Sequence, residues 1–455
     1  MKNAVILCAG AGTKLWPYAQ IRSQAMLPVS NKPIATYAVD ALTELGFDNI
    51  VLVGNRFVEE IKAYFRDSKN ITVITDNAPK GTAFSLLCVK DYINGENFLA
   101  LYGDTIVSKT DLERLLSAFG QNHQTQALVS PIPERSGDHI GCNLKGDEVN
   151  EIWGHSRSES THFFGGFAFN GNFFDMLRFN PARFKYTEVG MMPPVEAFLE
   201  ISMADEMKRG LKVGAVVAEK PVYDIDKPWH ILEANTGINI ERCSALTQNE
   251  LGEGATIDET ACISGFVKLG KNSHIGKNVI IEGSIIAGDN TVIKNGAILQ
   301  DNIVIGSNTQ VRNACFVEGE STIGSDCVVS HAAELSGMIL DRVYLYHYME
   351  MNGIIGENTD IGAATVCGSL RFDDGLTIQR VKGRREFARN FTDSVFLGDY
   401  CRTGVNAVIM PGIKIGPYSV IGAGVLLNKD IQDNTLIYTE QTQIEKKWGS
   451  EVYGW

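Results

Sequence analysis

Two aspartates have the residue type and the position needed to bind a metal ion. Asp104 follows the apolar stretch "NFLALYG", and Asp224 follows "AEKPVY". In an open α/β sheet, ligands bind beyond the carboxyl ends of the strands. Two carboxylates from different strand ends are suited to share one hard cation such as Mg²⁺, which in turn holds phosphate groups. The alternative is that each aspartate only caps a strand or a turn, which is a common role for this residue type.

A glycine-containing loop near the start of the chain is a second candidate. The stretch "LCAGAGTKLWP", Leu7 to Pro17, continues an apolar run into small residues. Its backbone N–H groups would point at phosphate oxygens, with Gly10 and Gly12 allowing close approach. The loop lacks the G-K-[ST] ending of a P-loop, and Leu15 stands where the dinucleotide pattern G-x-G-x-x-G needs its last glycine. From these residues alone, the loop is either a phosphate cradle or a tight turn.

Alternating strands and helices must position these residues. Strands are predicted at "NAVILCA", "NIVLVG", "ITVIT", "NFLALYG" and "KVGAVVAE", and an amphipathic helix at "PIATYAVDALTELG". This alternation predicts an α/β fold with a mostly parallel sheet and helices on both of its faces. A further helix is predicted from His230 to Thr247, where it leads into the second half of the chain.

The second half carries a six-residue repeat. Fourteen of fifteen positions taken at steps of six are Ile, Leu or Val, and the other is alanine. Each unit is read as a short strand and a turn with one aliphatic side chain pointing inward, so that three units close one coil. This pattern predicts a left-handed parallel β-helix of hexapeptides, which is an exception to the usual crossover hand. The fifteen positions are Leu251, Ile257, Ile263, Leu269, Ile275, Ile281, Ala287, Ile293, Leu299, Ile305, Val311, Val317, Ile323, Val329 and Leu335.

The register of the repeat is interrupted twice. It breaks near Asp341 and resumes at Ile355, and it breaks again across an insertion at residues 368–394. An insertion of this length in a solenoid is expected to project outward and to carry function. It is basic within an acidic chain, so it is either a solvated charged loop or a cradle for an anionic ligand. Its basic residues include Arg371, Arg380, Lys382, Arg384, Arg385 and Arg389.

These patterns divide the chain into parts. Residues 1–235 are predicted to form the α/β domain, and residues 236–250 a linker helix. Residues 251–440 are predicted to form the β-helix, with the insertion projecting from it. Residues 441–455 are predicted to be a C-terminal tail.

Composition excludes several classes of function. The 455 residues include 41 Lys and Arg against 54 Asp and Glu, a net charge of −13, which argues against a general binder of nucleic acid or anionic membranes. The nine cysteines contain no C-x-x-C pair, so we expect them to be reduced and mostly buried in a cytoplasmic protein. The apolar run before Lys14 is too short for a signal peptide, and no stretch has membrane-spanning length, so a first strand is predicted instead.

Five motifs taken together resemble a known family. In chain order they are "LCAGAGTKLWP", "MLPVSNKPI", "KGTAFSL", "LYGDTIV" and "VYDIDKPWHILEAN". They resemble the sugar-1-phosphate nucleotidyltransferase family, with its Rossmann-like domain. The stretches "IIGENTDIGAATV", "LRFDDG" and "RTGVNAVIMPGIKIG" extend the likeness over nearly the whole chain. The chain is thus similar to the bifunctional N-acetylglucosamine-1-phosphate uridyltransferases/glucosamine-1-phosphate acetyltransferases, especially archaeal-type relatives.

The resemblance implies a reaction and a set of roles. A sugar-1-phosphate oxygen would attack the α-phosphorus of a nucleoside triphosphate, UTP or dTTP, and pyrophosphate would leave in line. Asp104 and Asp224 would hold Mg²⁺ and, with Lys14, form the catalytic set. Gly166 would lie near the sugar. The nucleotide would be bound by Ala9, Gly10, Gly12, Thr13, Lys14, Gln24, Gly81 and Thr82.

The sequence also departs from the family pattern. Lys14 replaces the loop arginine, which keeps the charge but loses the bidentate fork. Gln24 replaces a lysine, which removes a positive charge where phosphate is expected. Further departures are Lys80 before G-T-A, Asp226 for a glycine after the second aspartate, and Gly154, His155 and Ser156 in place of E-K-P. Two hypotheses therefore stay open, an active nucleotidyltransferase and a degenerate sugar-nucleotide-binding or regulatory protein.

The second half matches the acetyltransferase pattern in part. The family's catalytic histidine corresponds to His347 in "LYHYMEMNGIIG", one residue closer to "IIG" than expected, and would act as general base. Ser369 replaces a family asparagine. The resemblance implies acetyl-CoA as co-substrate, with Arg402 and the insertion arginines meeting its phosphates, and a homotrimer. The alternatives are a structural turn at His347, a scaffold-only β-helix, or an acyltransferase whose first domain only holds a sugar nucleotide.

Overall fold

The computed structural model describes residues 1–132, 139–155, 160–180, 182, 196–387 and 390–453. The strands of the first half are β1 Asn3–Cys8, β2 Pro28–Val29, β3 Lys32–Pro33, β4 Asn49–Gly54, β5 Ile71–Thr75, β6 Phe98–Tyr102, β7 Thr105–Ile106, β8 Gln126–Pro131, β9 Gly141–Lys145, β10 Glu148–Gly154, β11 His162–Phe169, β12 Gly214–Val217 and β13 Tyr223–Asp224. The helices are α1 Ile34–Glu44, α2 Val58–Phe65, α3 Thr82–Leu87, α4 Lys90–Ile93, α5 Lys109–Asn122, α6 Phe173–Leu177, α7 Leu199–Met207, α8 Pro228–Ser244 and α9 Ser450–Tyr453.

The first half is built on a nine-stranded sheet of order β5-β4-β1-β6-β11-β8-β12-β10-β9. Side chains of β1 alternate between two apolar clusters, so that Ile6 and Leu7 pack on opposite faces of the sheet. The expected parallel arrangement holds for β5, β4, β1 and β6, but β11 inserts antiparallel between β6 and β8. The chain enters β11 through the antiparallel strands β9 and β10 instead of through a crossover helix, which a parallel strand requires. The sheet is therefore mixed.

The second half is the predicted β-helix. Inward residues eighteen positions apart stack in register, as Ile257 pairs with Ile275 and Ile275 with Ile293. The inward side chains form one continuous apolar column. Its strands are β14 Glu250–Leu251, β15 Thr256–Ile257, β16 Cys262–Ile263, β17 Val267–Leu269, β18 His274–Ile275, β19 Ile280–Ile281, β20 Ile285–Ala287, β21 Val292–Lys294, β22 Ile298–Leu299, β23 Ile303–Ile305, β24 Gln310–Arg312, β25 Phe316–Val317, β26 Thr322–Ile323, β27 Val328–Val329, β28 Glu334–Ile339, β29 Tyr344–Leu345, β30 Glu350–Ile355, β31 Asp360–Ile361, β32 Val366–Cys367, β33 Gln379–Val381, β34 Arg384–Glu386, β35 Val395–Leu397, β36 Arg402–Thr403, β37 Val408–Ile409, β38 Lys414–Ile415, β39 Val420–Ile421, β40 Leu426–Leu427 and β41 Leu436–Ile437.

The six-residue register breaks near Asp341, as predicted, although the apolar column continues through the break. From Leu335 the next inward residue is Ile339, four positions on, and Leu345 and Met351 follow at steps of six. Strands β28 and β30 run straight through one corner and omit two turn residues, so their partners are sixteen positions apart. Glycine is required at this corner. A Cβ at Gly337 (φ +105°) would lie 2.3 Å from the carbonyl oxygen of Gly353.

The shortened corner is where the first half docks. Met338, Ile354 and Phe396 of the β-helix belong to the same apolar cluster as Leu15 and Trp229 of the first half, and we call this cluster the junction core. Buried asparagines of α8 add polar links to the β-helix. Asn239 Nδ2 donates to the carbonyl of Glu320 at 2.9 Å, and Asn235 Nδ2 donates to the same oxygen at 3.0 Å.

The insertion does not simply project outward as expected. Strands β33 and β34 form a hairpin whose Val381 is buried in the junction core. Arg389 lies outside the described residues.

All nine cysteines are free and seven of them are buried, as predicted. Within the described parts of the chain, no helix has the length and apolar character to cross a membrane.

Candidate active site

The two candidate metal ligands lie side by side at the carboxyl end of β6. Strands β7 and β13 pair antiparallel with Asp224 opposite Thr105, and the backbone N–H of Ile225 donates to the carbonyl of Asp104 at 2.9 Å. Both strands are two residues long, so they present their aspartates at the sheet edge without extending the main sheet. We call Asp104 and Asp224 the carboxylate pair.

Electrostatics within the carboxylate pair are asymmetric. Burial, reinforced by the charges of Asp224 and Asp226, raises the pKa of Asp104 to about 8. Burial also acts to raise the pKa of Asp224, but the hydrogen bond with His139 and the charges of His139, His230 and Lys14 lower it overall. His139 Nδ1 lies 2.8 Å from Asp224 Oδ2, and its ring stacks on Phe163. Burial and the neighbouring charges thus move the two pKa values apart, as expected of two carboxyl groups that share a site.

The carboxylate pair fits a magnesium ion. Its donors are hard carboxylate oxygens, the ligand type that Mg²⁺ prefers, and mutual repulsion of this kind is relieved by a divalent cation. No cluster of three or more His, Cys, Asp or Glu side chains suited to a metal occurs among the residues that the structure describes. Two protein carboxylates suit Mg²⁺, which is usually completed by waters and substrate phosphates.

The side chain of Gln24 is hydrogen-bonded to one member of this pair. Its Nε2 donates to Asp104 Oδ2 at 2.8 Å and to the carbonyl of Ile225 at 2.9 Å. Its side chain also fills the space under the phosphate loop, where a Cβ at Gly12 would lie 3.2 Å from Gln24 Oε1. The neutral amide at this position therefore orients a carboxylate and supplies no phosphate-binding charge.

The phosphate loop, residues 7–17, lies next to the carboxylate pair. Gly10 and Thr13 are exposed to solvent, while Ala9 and Gly12 are partly buried. Gly12 has φ +59°, and a Cβ there would lie 2.6 Å from that of Ala19, so glycine is required. The loop thus keeps an open backbone surface on which phosphate oxygens can be bound.

Two residues that differ from the family pattern, Lys14 and Asp226, contact each other. Lys14 Nζ lies 2.5 Å from Asp226 Oδ2. The lysine that replaces an arginine is thus held by the aspartate that replaces a glycine. This ion pair fixes the ammonium group between the phosphate loop and the carboxylate pair.

The other basic residue near the loop points away from it. Arg22 is buried, and its Nη2 lies 2.7 Å from Asp399 Oδ1 and 3.3 Å from Glu357 Oε1, both in the β-helix. Tyr18, at the end of the loop, donates to the carbonyl of Ile354 at 2.9 Å. The β-helix therefore holds the segment that carries the phosphate loop.

Gly81 and Thr82 make close contacts with the start of α7 and the residues just before it. Gly81 has φ +117°, and a Cβ there would lie 2.5 Å from the backbone nitrogen of Ala197. Thr82 Oγ1 accepts from the backbone N–H of Leu199 at 2.9 Å and so caps the start of α7. Lys80, before them, is exposed. This segment ties α3 to α7 at the rim of the site.

Gly166 lies in β11, opposite Leu101 of β6, where a Cβ would lie 2.5 Å from a Leu101 methyl group. Of the substituted E-K-P positions, Gly154 ends β10, His155 packs edge-on against Phe198, and Ser156 lies outside the described residues.

Two buried residues near this strand were missed by sequence reasoning, Glu200 and His139. The Tyr102 hydroxyl donates to Glu200, whose pKa is raised to about 7 by burial. Neither Glu200 nor His139 belongs to a motif or follows a predicted strand.

The predicted acetyltransferase residues lie on a different surface. His347 is exposed at a corner of the β-helix after β29, and its Nδ1 lies 2.7 Å from Nδ1 of His331 in the preceding coil. The two rings stack at 4.6 Å, and we call them the histidine corner. Arg402 is exposed on β36, two strands further along the same face, and Ser369 is exposed at the start of the insertion.

Family models match both halves of the chain. The nucleotidyl transferase model matches residues 3–142. The GMPPB C-terminal domain model matches residues 245–340, and the bacterial transferase hexapeptide model, with six repeats, matches residues 394–429. These matches confirm the predicted fold, a Rossmann-like nucleotidyltransferase domain followed by a left-handed β-helix.

Relatives extend over the whole chain. The "Bifunctional protein GlmU" of Methanococcus maripaludis strain C7 is 32% identical over 454 residues, which cover 98% of this chain and 99% of that protein. A "Bifunctional sugar-1-phosphate nucleotidylyltransferase/acetyltransferase" of Sulfurisphaera tokodaii is 26% identical over 94% of this chain and 98% of its own length. A solved UDP-glucose pyrophosphorylase complexed with UDP-glucose has a TM-score of 0.46 and 17% identity, and covers 51% of this chain and 97% of its own. Because the Methanococcus maripaludis protein is 32% identical over 98% of this chain, the chain belongs to the family of bifunctional GlmU proteins.

Proposed function

We propose that the first half catalyses nucleotidyl transfer from a nucleoside triphosphate, UTP or dTTP, to a sugar-1-phosphate. The products are a nucleoside diphosphate sugar and pyrophosphate. The observation that carries this proposal is the placement of the carboxylate pair beside the phosphate loop, both at the carboxyl end of one sheet. This is where ligands of open α/β sheets bind.

Each group in the site has a role in this reaction. A phosphate oxygen of the sugar-1-phosphate attacks the α-phosphorus, and the bond from that phosphorus to the departing pyrophosphate breaks in line. Backbone N–H groups of the phosphate loop and the ammonium of Lys14 bind the triphosphate and neutralise its charge. Asp104 and Asp224 would hold Mg²⁺, which supplies charge neutralisation at the phosphates. Gln24 and His139 orient the two carboxylates.

We propose further that the β-helix transfers an acetyl group from acetyl-CoA to an amino-sugar phosphate. His347 would take the proton from the attacking amine, and His331 would hold its ring in place. Arg402 would bind a phosphate of the CoA.

We also propose the domain limits 1–235, 236–250, 251–440 and 441–455, a cytoplasmic location, and a homotrimer with a solution mass near three times 49.8 kDa.

A pyrophosphate-release screen tests the first activity. The full chain is incubated with Mg²⁺, each of four nucleoside triphosphates and several sugar-1-phosphates. Release with at least one pair is expected, and it should need both substrates. No release with any pair, together with measurable nucleotide binding, would favour the degenerate binding or regulatory protein instead. Acetyl transfer to glucosamine-1-phosphate and galactosamine-1-phosphate is assayed in parallel.

A further inference from the structure

The insertion of the β-helix ends in a basic hairpin that lies on the first half of the chain. The basic hairpin, residues 379–386, consists of β33 and β34 joined by Lys382 and Gly383. These two residues have φ +50° and +79°, which gives a two-residue turn of the kind that matches strand twist. Val381 is buried in the junction core beside Leu15 and Trp229. The hairpin is thus a packed element with a defined tip.

Two contacts anchor the open end of the hairpin, where Gln379 and Glu386 are paired. Lys227, three residues after Asp224, forms an ion pair with Glu386, and both side chains are largely buried. On the other side, the buried ammonium of Lys414 in β38 donates to Gln379. One end of the hairpin is therefore held by the β-helix, and a strand of the hairpin lies against the segment that carries the second aspartate of the carboxylate pair.

The charges of the hairpin tip and of the phosphate loop act on the same partly buried carboxyl group, that of Glu196. Burial raises the pKa of Glu196, and the charges of Lys14 and Lys382 both act to lower it, with Asp226 opposing them. Glu196 is thus within electrostatic range of the loop lysine and of the hairpin tip together. Arg384 is opposite Val381 in the hairpin and so shares the face that packs on the first half.

The site lacks the positive charge that the family pattern places at position 24. Lys14 is paired with Asp226, and position 24 carries a neutral amide bound to Asp104. A triphosphate brings about four negative charges, and its binding depends on cations and N–H donors. Lys382 and Arg384 are both exposed to solvent.

We propose that the basic hairpin is a part of the nucleotide site, in which Lys382 and Arg384 bind the β- and γ-phosphates of the triphosphate and the pyrophosphate that leaves. This inference rests on the proposed nucleotidyl transfer. It assigns the insertion to the first activity, in place of the phosphates of acetyl-CoA expected from the sequence. The β-helix domain would then contribute phosphate-binding residues to the reaction catalysed by the first half.

The turn geometry offers a clean test, Lys382→Asn. Asparagine tolerates positive φ, and Asn-Gly is a preferred two-residue turn, so this change removes the charge without straining the hairpin. Isothermal titration with inorganic pyrophosphate and with UTP or dTTP, each with Mg²⁺, gives the dissociation constants, and steady-state kinetics give KM and kcat. Loss of one charge-assisted contact should weaken binding and raise the nucleotide KM about tenfold, with little change in the sugar-1-phosphate KM. Lys382→Arg should retain binding.

Matched variants separate this role from a structural one. Arg384→Gln should weaken pyrophosphate binding in the same way, whereas Lys271→Asn, at an exposed lysine of the first coils, should not. Unchanged pyrophosphate and nucleotide affinity in Lys382→Asn and Arg384→Gln, with an active wild-type chain, would overturn this inference alone. If the wild-type chain releases no pyrophosphate but these variants bind pyrophosphate more weakly than it does, the role of the hairpin is supported and the proposed nucleotidyl transfer is not. Absence of nucleotide and pyrophosphate binding by the wild-type chain would overturn both.

Discussion

The carboxylate pair of the first half and the histidine corner of the β-helix differ in how fully one chain surrounds them. Asp104 contacts Gln24 and lies among Asp224, Asp226 and Lys14, and the segment carrying the phosphate loop is held by the β-helix. His347 is exposed, and its described side-chain contacts are His331 and neighbouring tyrosines. The first site is supported by contacts from both halves of one chain, while the second is exposed.

This difference indicates what each site needs to function. A site enclosed by its own chain is preorganised, so its charges act at fixed distances in a partly dry environment. An open corner cannot exclude water or orient an acyl donor by itself. The proposed homotrimer would supply the missing wall at the histidine corner.

The largest expected effect is on the carboxylate pair. Asp104→Asn removes one charged ligand and should lower nucleotidyl transfer on the order of a thousandfold, because a preorganised charge contact is lost at the reacting phosphates. Acetyl transfer should be unchanged, because the histidine corner lies elsewhere. Both rates are measured on the same preparation. Asp67→Asn, at a side chain that is 90% exposed, is the matched control.

A fall in both activities of Asp104→Asn would contradict the separation of the two sites, since it would show that the change acts through the fold. A fall of less than tenfold in pyrophosphate release would remove Asp104 from the proposed metal ligands.

The next effect concerns the ion pair that joins the two halves. Asp399→Asn leaves the buried Arg22 with only Glu357, so the free energy of unfolding should fall by about 3 kcal/mol. Urea unfolding measures this change. The control Glu250→Gln breaks an exposed pair with Lys268 and should cost less than about 1 kcal/mol. The nucleotide KM should also rise in Asp399→Asn, because Arg22 lies in the segment between the phosphate loop and Gln24.

Equal stability losses in Asp399→Asn and Glu250→Gln would show that the β-helix is a passive neighbour of the first site. The comparison between an enclosed and an open site would then lose its main support.

The fold was largely predictable because the apolar residues of each half follow a pattern that is visible over short stretches of sequence. The six-residue spacing places one aliphatic side chain in the column of the β-helix, and the strands of the first half were located by apolar runs. The shortened corner was not predicted, since a four-residue step breaks the period. Its signal was present as two similar stretches sixteen residues apart, "ELSGMIL" and "EMNGIIG".

The candidate site was predictable only where a residue follows a strand or belongs to a motif. Asp104 and Asp224 meet this condition, while His139 does not. Arg22 and Asp399 are 377 positions apart, and no local pattern encodes their contact. The orientation of Gln24 depends on packing beneath the loop, which residue type alone does not reveal.

A smaller effect is expected at the histidine corner. His347→Gln removes the proposed base and should lower acetyl transfer about a hundredfold, while pyrophosphate release is unaffected. His331→Gln should have a weaker effect on the same rate, because His331 only orients its neighbour. The change is read from acetyl transfer to glucosamine-1-phosphate at saturating acetyl-CoA. If acetyl transfer proceeds equally well in His347→Gln, this residue is a turn residue and not the base.

The final expected effect is a pH dependence that differs between the halves. Burial raises the pKa of Glu200, in the first half, to about 7, and lowers the pKa of Lys414, in the β-helix, to about 8. The folded chain binds more protons at Glu200 than the unfolded chain does between pH 4.5 and 7, so stability should fall there by about 1.4 kcal/mol for each pH unit. At Lys414 the unfolded chain binds more protons between pH 8 and 10.5, so stability should rise by a similar amount.

Two substitutions show which half of the chain causes each change of stability with pH. Glu200→Gln should flatten the decline between pH 4.5 and 7 and leave the alkaline side unchanged, while Lys414→Met should do the reverse. The slopes are read as differences in urea unfolding midpoints between each variant and the wild type over a pH series.

Lys414 also anchors the basic hairpin through Gln379, so loss of its proton above pH 8 weakens a contact that the first site depends on. Nucleotide affinity should therefore decline above pH 8 in the wild-type chain, and a wild-type affinity that stays constant to pH 10 would uncouple the hairpin from Lys414.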